Sequence, residues 1–355
     1  MYEKRIQRLR GSMRTKNLSA VLLSSFENRF YYSGFSGASG AMLITEQSAY
    51  LFVDSRFLAQ AEAEAKGCKT VLIQPSLYET LNSKLSLEHV ARMLYEDKEF
   101  SVYQFEAFKN NIVVSDLVAG SDMLARIRSV KDEDEIEIMS RGAHLCDEAF
   151  SYILSKVRAG ATEKELLLDL EVFLKRNGAQ KVFESSRILT GIRSASMYFE
   201  SSNAEITDGD ILLIDFAVRY ENYCIKMARS VAVKIADDRM REIYSILFYA
   251  QAKSLNLLKS ATSLCEANQQ MKDNMASFGY GDSFYGVYEN GVGIADSEFP
   301  NLRDSKTILL KGNVLCVAPA ILVSDYGGMK IADTVVVGDE GGVSLTNSPR
   351  ELLTV

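Results

Sequence analysis

The stretch Ile211–Val233, ILLIDFAVRYENYCIKMARSVAV, places the tightest condition on what this chain can fold into. Two apolar, β-branched runs flank Arg219-Tyr220-Glu221-Asn222, which predicts a β-hairpin closed by a loop of roughly four residues. With residue 218 opposite 223, Asp215 falls opposite Lys226. Cross-strand partners have Cβ atoms about 4.5–5.5 Å apart. A carboxylate and an ammonium inside apolar strands are not normally buried without partners. The pair is therefore either a structural ion pair or the floor of a pocket.

The 355 residues suggest two domains. A chain that is 47% hydrophobic and 25% charged can bury cores of that size. The net charge of −7 argues against a general nucleic-acid or membrane-surface binder. Five dispersed cysteines with no C-x-x-C fit a reducing cytoplasm and give no zinc framework. The N-terminal MYEKRIQRLRGSMRTKN has no apolar core of a signal peptide. No apolar run approaches the roughly 20 residues of a membrane span. A cytoplasmic protein without membrane association is expected. The two histidines, His89 and His144, restrict histidine chemistry.

In chain order, residues 2–17 predict an amphipathic helix, with strands at 20–24, 41–45 and 49–53 and a helix over 57–66. The small residues and glycines of 27–40 predict tight turns. Strands alternating with helices make the first domain α/β. The acidic run Asp132–Glu135 predicts a helix start. Two long helices, 132–158 and 162–176, follow, the second capped by Thr162. A strand is expected over 183–190, a loop over 191–198, and helices over 238–259 and 262–277. Domain boundaries are expected at 1–127 and 128–355.

Several motifs resemble the aminopeptidase P and prolidase family, the creatinase or pita-bread fold. Ile214-Asp215-Phe216, Tyr220, Tyr223 and Arg229 match that family's central hairpin. Asn28-Arg29-Phe30-Tyr31, Gly34-Phe35-Ser36-Gly37 and Asp54-Ser55-Arg56-Phe57 are similar to its N-terminal domain, and Arg128 to Met139 to the entry of its second domain. Gly291, Gly293, Glu298 and Pro300 match its glycine-rich segment, and Gly312–Ala320 and Gly328–Thr334 its last two motifs. The resemblance covers the whole chain. It implies an α+β protein: a creatinase-like α/β N-terminal domain, then a pita-bread domain. It also implies a homodimer, because the family's N-terminal domain supports dimerisation.

The family's dinuclear metal centre uses two Asp, one His and two Glu. In this sequence those positions hold Asp215, Lys226, Asn290, Ala318 and Ala332. The family's substrate-side His falls on Tyr198 and a further His on Ser297. One carboxylate does not hold two divalent cations. No metal or other cofactor is therefore expected, and Lys226 stands where the family needs positive charge. The resemblance gives Asp215, Lys226 and Tyr198 as catalytic candidates, and Tyr223, Arg229, Asn290, Ser297, Glu298 and Lys330 as ligand-binding candidates. Three functions are open: a pseudoenzyme binding a peptide or small amino-acid derivative in the old cleft, a metal-independent hydrolase or lyase using Lys226 and Asp215, or a conventional metal-dependent Xaa-Pro peptidase. Lys226 held by Asp215 across the hairpin is the expected core of the site.

Overall fold

The computed structural model describes residues 1–196, 198–302 and 306–355. Its internal contacts separate Met1–Arg128 from Ser129–Val355. No described helix is long and apolar enough to cross a membrane.

The first unit contains α1 (Tyr2–Thr15), β1 (Ala20–Leu23), α2 (Phe26–Ser33), β2 (Ala41–Thr45), β3 (Ala49–Val53), α3 (Leu58–Glu64), β4 (Lys69–Leu72), α4 (Leu77–Leu87), β5 (Arg92–Tyr95), α5 (Val102–Asn111), β6 (Asp116–Ala119) and α6 (Ser121–Ser129), which reaches one residue past the division. Its six strands form one mixed sheet in the order β4-β3-β2-β1-β5-β6. Strands β1 to β3 are buried at every position, as expected of strands covered on both faces. Residues 27–33 are helical rather than turns. Ser25 caps α2 by accepting from the Asn28 N–H, and Gly34 ends it at φ +77°. After that glycine the chain runs irregularly, with a bend at Ala38 and Ser39, to β2.

The second unit opens with α7 (Glu133–Leu154) and α8 (Glu163–Arg176). Both begin with capping boxes, Asp132 with Glu135 and Thr162 with Glu165, so each helix start satisfies its own orphan N–H groups. Next come β7 (Lys181–Val182) and β8 (Arg187–Thr190). Residues 183–186 turn instead of continuing a strand, the Ser186 N–H donating to the Phe183 carbonyl. The segment Gly191–Ala195 is a short 3-10 helix; Met197, in the expected loop, lies outside the described residues. The central hairpin is β9 (Ile211–Tyr220) and β10 (Tyr223–Ala232), followed by α9 (Asp238–Leu257) and α10 (Leu264–Ser277). The remaining strands are β11 (Phe284–Tyr285), β12 (Tyr288–Gly291), β13 (Val314–Val317), β14 (Ala320–Val323), β15 (Gly327–Lys330), β16 (Asp333–Val337) and β17 (Gly342–Ser344). β9 and β10 pair with each other, and β7 and β8 add to β9. Two further sheets, β11-β14-β15 and β12-β13-β16-β17, complete the unit. Met240, Leu247, Leu264, Leu315 and Ile331 sit in their shared apolar core with α9 and α10.

The hairpin turn corrects the expected register. Its loop is the two residues Glu221 and Asn222, at φ +44° and +68°. Positive φ at both central residues is the type I′ pattern, whose twist suits a right-twisted ribbon. Tyr220 pairs with Tyr223, so Lys226 lies opposite Ala217 and Asp215 opposite Ala228. The slip from the expected pairing is two residues. An even slip keeps every side chain on its original face, so Asp215 and Lys226 still share a face. They are no longer direct partners.

Asn222→Val forces a β-branched residue into left-handed backbone and should destabilise the chain by about 1–2 kcal/mol. Asn222→Gly should cost nothing. Thermal melts of the two variants check the turn assignment.

Candidate functional site

The floor of the site is the shared face of β9 and β10, and two other segments deliver charge to it. β10 is tied to residues 330–334 by reciprocal bonds: Ala228 and Ala332 exchange backbone N–H donors, and the Lys226 N–H donates to the Thr334 hydroxyl. This pairing carries Lys330, at the end of β15, onto the hairpin face. Strand β12 contributes from the side. Its register on β13 slips by one residue between Tyr288 and Gly291. Such a bulge re-aims side chains locally. Glu289, within the bulge, reaches the same floor.

Four charges meet there. The Lys330 ammonium donates to Asp215 Oδ2 at 3.0 Å and to Glu289 Oε1 at 3.3 Å. The Lys226 ammonium donates to Glu289 Oε2 at 2.9 Å. The expected Asp215–Lys226 pair is thus replaced by the chain Asp215–Lys330–Glu289–Lys226. The even register slip moved Lys226 away from Asp215, and Glu289 supplied the nearer carboxylate. The Lys330 side chain is only 9% exposed, against 21% for Lys226 and 34% for Glu289.

The environment drives Glu289 and the two lysines apart in pKa. Burial works against the Glu289 carboxylate, but Lys330 and Lys226 overcome it and bring its pKa down to about 2. Burial likewise disfavours the Lys330 ammonium, yet Asp215 and Glu289 hold its pKa above that of an ordinary lysine. Lys226 follows the same pattern, with burial opposed and outweighed by Glu289. Both lysines therefore carry charge at neutral pH. Cys316 on β13 also borders the floor, and burial pushes its thiol well above the ordinary value. It stands as a neutral thiol.

A cavity of about 220 Å³ opens above this cluster, with Arg187 and Tyr198 at its side. Tyr198 is exposed and shares a hydrogen bond with Tyr285, which raises the Tyr285 pKa. The other candidates stand elsewhere. Asn290 donates to the Ser297 hydroxyl at 2.9 Å, so these two pair with each other and do not border the cavity. The Tyr223 hydroxyl donates to Glu135 in buried surroundings. Glu298 receives Lys131 at 2.5 Å, with both side chains almost fully buried. A Cβ on Gly293 would strike the Glu298 carboxylate, so that close approach needs glycine. Arg229 is a structural clamp. It binds Asp333 at 2.6 Å and the carbonyls of Ala228, Ala332, Ser348 and Pro349. Asp333 further accepts from Gln251, Thr346 and Arg350.

Glu289, Arg187 and Cys316 were absent from the sequence-derived site. For Glu289 one signal was available: two lysines and a lone aspartate at the site leave a charge deficit that asks for a second acid. Among the described residues, no three His, Cys, Asp or Glu side chains are grouped as ligands to one metal ion.

Residues 137–339 match the model of metallopeptidase family M24, and residues 5–130 match the creatinase/prolidase N-terminal domain. The chain belongs to metallopeptidase family M24. It has the mixed α and β architecture expected of a creatinase-type N-terminal domain followed by a pita-bread domain. The Xaa-Pro dipeptidase of Pyrococcus furiosus is 28% identical over 99% of this chain and 100% of its own length. An Xaa-Pro dipeptidase structure from Bacillus anthracis superimposes with a TM-score of 0.93 at 29% identity, covering 100% of both chains. The X-Pro aminopeptidase of Thermotoga maritima gives 0.89 at 26% identity over 99% of each.

Removing one partner of a buried ion pair typically costs about 3–5 kcal/mol. Lys330→Met, which leaves Asp215 and Glu289 facing each other, should fall in that range. Lys226→Met should cost less, about 1–2 kcal/mol, because water reaches both partners. Chemical denaturation of both variants checks the order, and equal losses would contradict the cluster geometry. Glu289 also sets a pH dependence. Its folded pKa is depressed, so its contribution is present above the ordinary glutamate pKa and is lost as pH falls towards about 2. After discounting for its one-third exposure the contribution is about 1–2 kcal/mol. The stability gap between wild type and Glu289→Gln should therefore shrink as melts move from neutral to strongly acidic pH.

Proposed function

We propose that this M24 member binds a peptide or small amino-acid derivative in its cleft without divalent metal and does not cleave Xaa-Pro bonds. The observation that carries this reading is the Lys330 ammonium, within hydrogen-bonding reach of both floor carboxylates. Hard divalent cations need several oxygen or imidazole donors at about 2.0–2.6 Å. Here Asp215 and Glu289 already neutralise two ammoniums. The other positions matched to metal ligands hold Lys226, Asn290, Ala318 and Ala332. This donor set does not fit a dinuclear centre, and a dication at the floor would meet two fixed positive charges.

The same geometry weighs against metal-independent catalysis by Lys226 and Asp215. The two are not partners, and a lysine held protonated is neither a nucleophile nor a general base. The names of the relatives favour a conventional Xaa-Pro peptidase. A metal-dependent centre would require both lysines to leave their carboxylates. We also propose a homodimer in the cytoplasm. The match to the creatinase/prolidase N-terminal domain supports the dimer, and the five unpaired cysteines support a reducing compartment.

Elemental analysis of protein purified without chelator should find well under one transition metal per chain. An Xaa-Pro dipeptide assay with added Mn²⁺ should show no turnover above a chelated control. Lys226→Asp should not restore turnover, because Asn290, Ala318 and Ala332 still lack donors. Two tightly bound metals with turnover would establish the conventional peptidase instead.

A further inference from the structure

The cavity above the charge cluster does not end at the floor. A second cavity of about 340 Å³ adjoins it, and Arg187 and Tyr198 line both. Arg187 opens β8 directly opposite Asp215, so it stands on the floor face of the sheet. Asp215 is nevertheless bound by Lys330, not by Arg187. Among the described residues, the Arg187 side chain makes one hydrogen bond, from Nε to the Ser185 carbonyl at 2.8 Å. That bond orients the guanidinium, and among the described residues neither terminal nitrogen has a hydrogen-bond partner.

A charge count gives this consequence. At the inner cavity Asp215 and Glu289 are balanced by Lys330 and Lys226. Arg187 is the surplus charge there, a planar fork of the shape that takes a carboxylate through two parallel hydrogen bonds. The outer cavity has the opposite character. Glu184 is bound by Lys181 at 3.0 Å, Glu171 and Glu200 outnumber Lys164, the cation there besides Arg187, and Phe183 and Phe199 supply apolar surface. A second anionic group is disfavoured on that side.

We propose that Arg187 anchors the single carboxylate of a small monoanionic ligand, whose neutral, apolar body lies in the outer cavity against Phe183 and Phe199. This rests on the binding-cleft reading and adds the chemical class of the ligand and the residue that selects it. The carboxylate takes the two free guanidinium nitrogens, and the four-charge cluster beneath it remains internally paired. Diacids are disfavoured by Glu171 and Glu200. Amides of the same shape lose the charge-assisted bonds.

The test uses the full-length chain in chelator, with N-acetyl-phenylalanine and its carboxamide as probes in titration calorimetry. The acid should bind at least about tenfold more tightly than the amide, a charge-assisted pair being stronger than a neutral one. Arg187→Met should reduce acid binding to the level of the amide and leave the amide unchanged. Arg187→Lys, which keeps the charge and loses the fork, should fall between. Arg187 is half-buried with one side-chain hydrogen bond, and an unchanged melting temperature would verify that the Met variant is folded. Equal binding of acid and amide, no binding of either, or full acid binding by Arg187→Met overturns the proposal. Acid binding that appears only with added Mn²⁺ overturns the metal-free reading instead, whatever the Arg187 variants do.

Discussion

Asp215, Lys330, Glu289 and Lys226 alternate in sign along the cleft floor, and each charge is tolerated because of its neighbours. The sequence of signs keeps the local sum at zero while holding the Glu289 pKa down and the two lysine pKa values up. Three segments far apart in the chain converge to make it: the hairpin, the end of β15 and the bulged β12. A cluster of this kind is a demanding element of a fold, since removal of either inner member, Lys330 or Glu289, leaves Asp215 or Lys226 uncompensated in partly dry surroundings. It also fixes the chemical character of the cleft. Both lysines are held in the charged form at neutral pH, which suits them to orient an anion rather than to accept protons.

Periodicity and caps made much of the frame readable. The apolar runs of the hairpin, the acidic start of α7 and Thr162 before α8 each have a local physical cause, and each element appears within a few residues of its expected place. The register did not follow, because it depends on turn type. Glu221 and Asn222 both adopt left-handed backbone, which Asn-Gly would have signalled and Arg-Tyr-Glu-Asn does not. Because the slip was even, the face assignment of Asp215 and Lys226 survived while their partnership did not. Glu289 was hidden for another reason. Its position depends on a one-residue irregularity between Tyr288 and Gly291, and strand patterning carries no mark of a bulge there.

The resemblance to a family also drew residues into the site that the fold employs elsewhere. Tyr223, Arg229 and Glu298 occupy motif positions, yet each is engaged in buried packing through Glu135, Asp333 and Lys131. Motif membership marks a residue the architecture needs, and that need is met as well by holding strands together as by touching a ligand. Asp333 illustrates this. It lies three residues from Lys330, but its carboxylate is spent on Arg229, Arg350, Gln251 and Thr346.

Arg229 reaches the carbonyls of Ser348 and Pro349, and the Ala232 and Lys234 N–H groups donate to Leu353 and Val355. The floor strand is therefore completed by residues 330–334 and 348–355, more than a hundred positions downstream. On the ribosome, where synthesis proceeds at roughly 5–20 residues per second, β10 must wait several seconds with its far edge unpaired. The floor strand is thus finished long after its own residues are made.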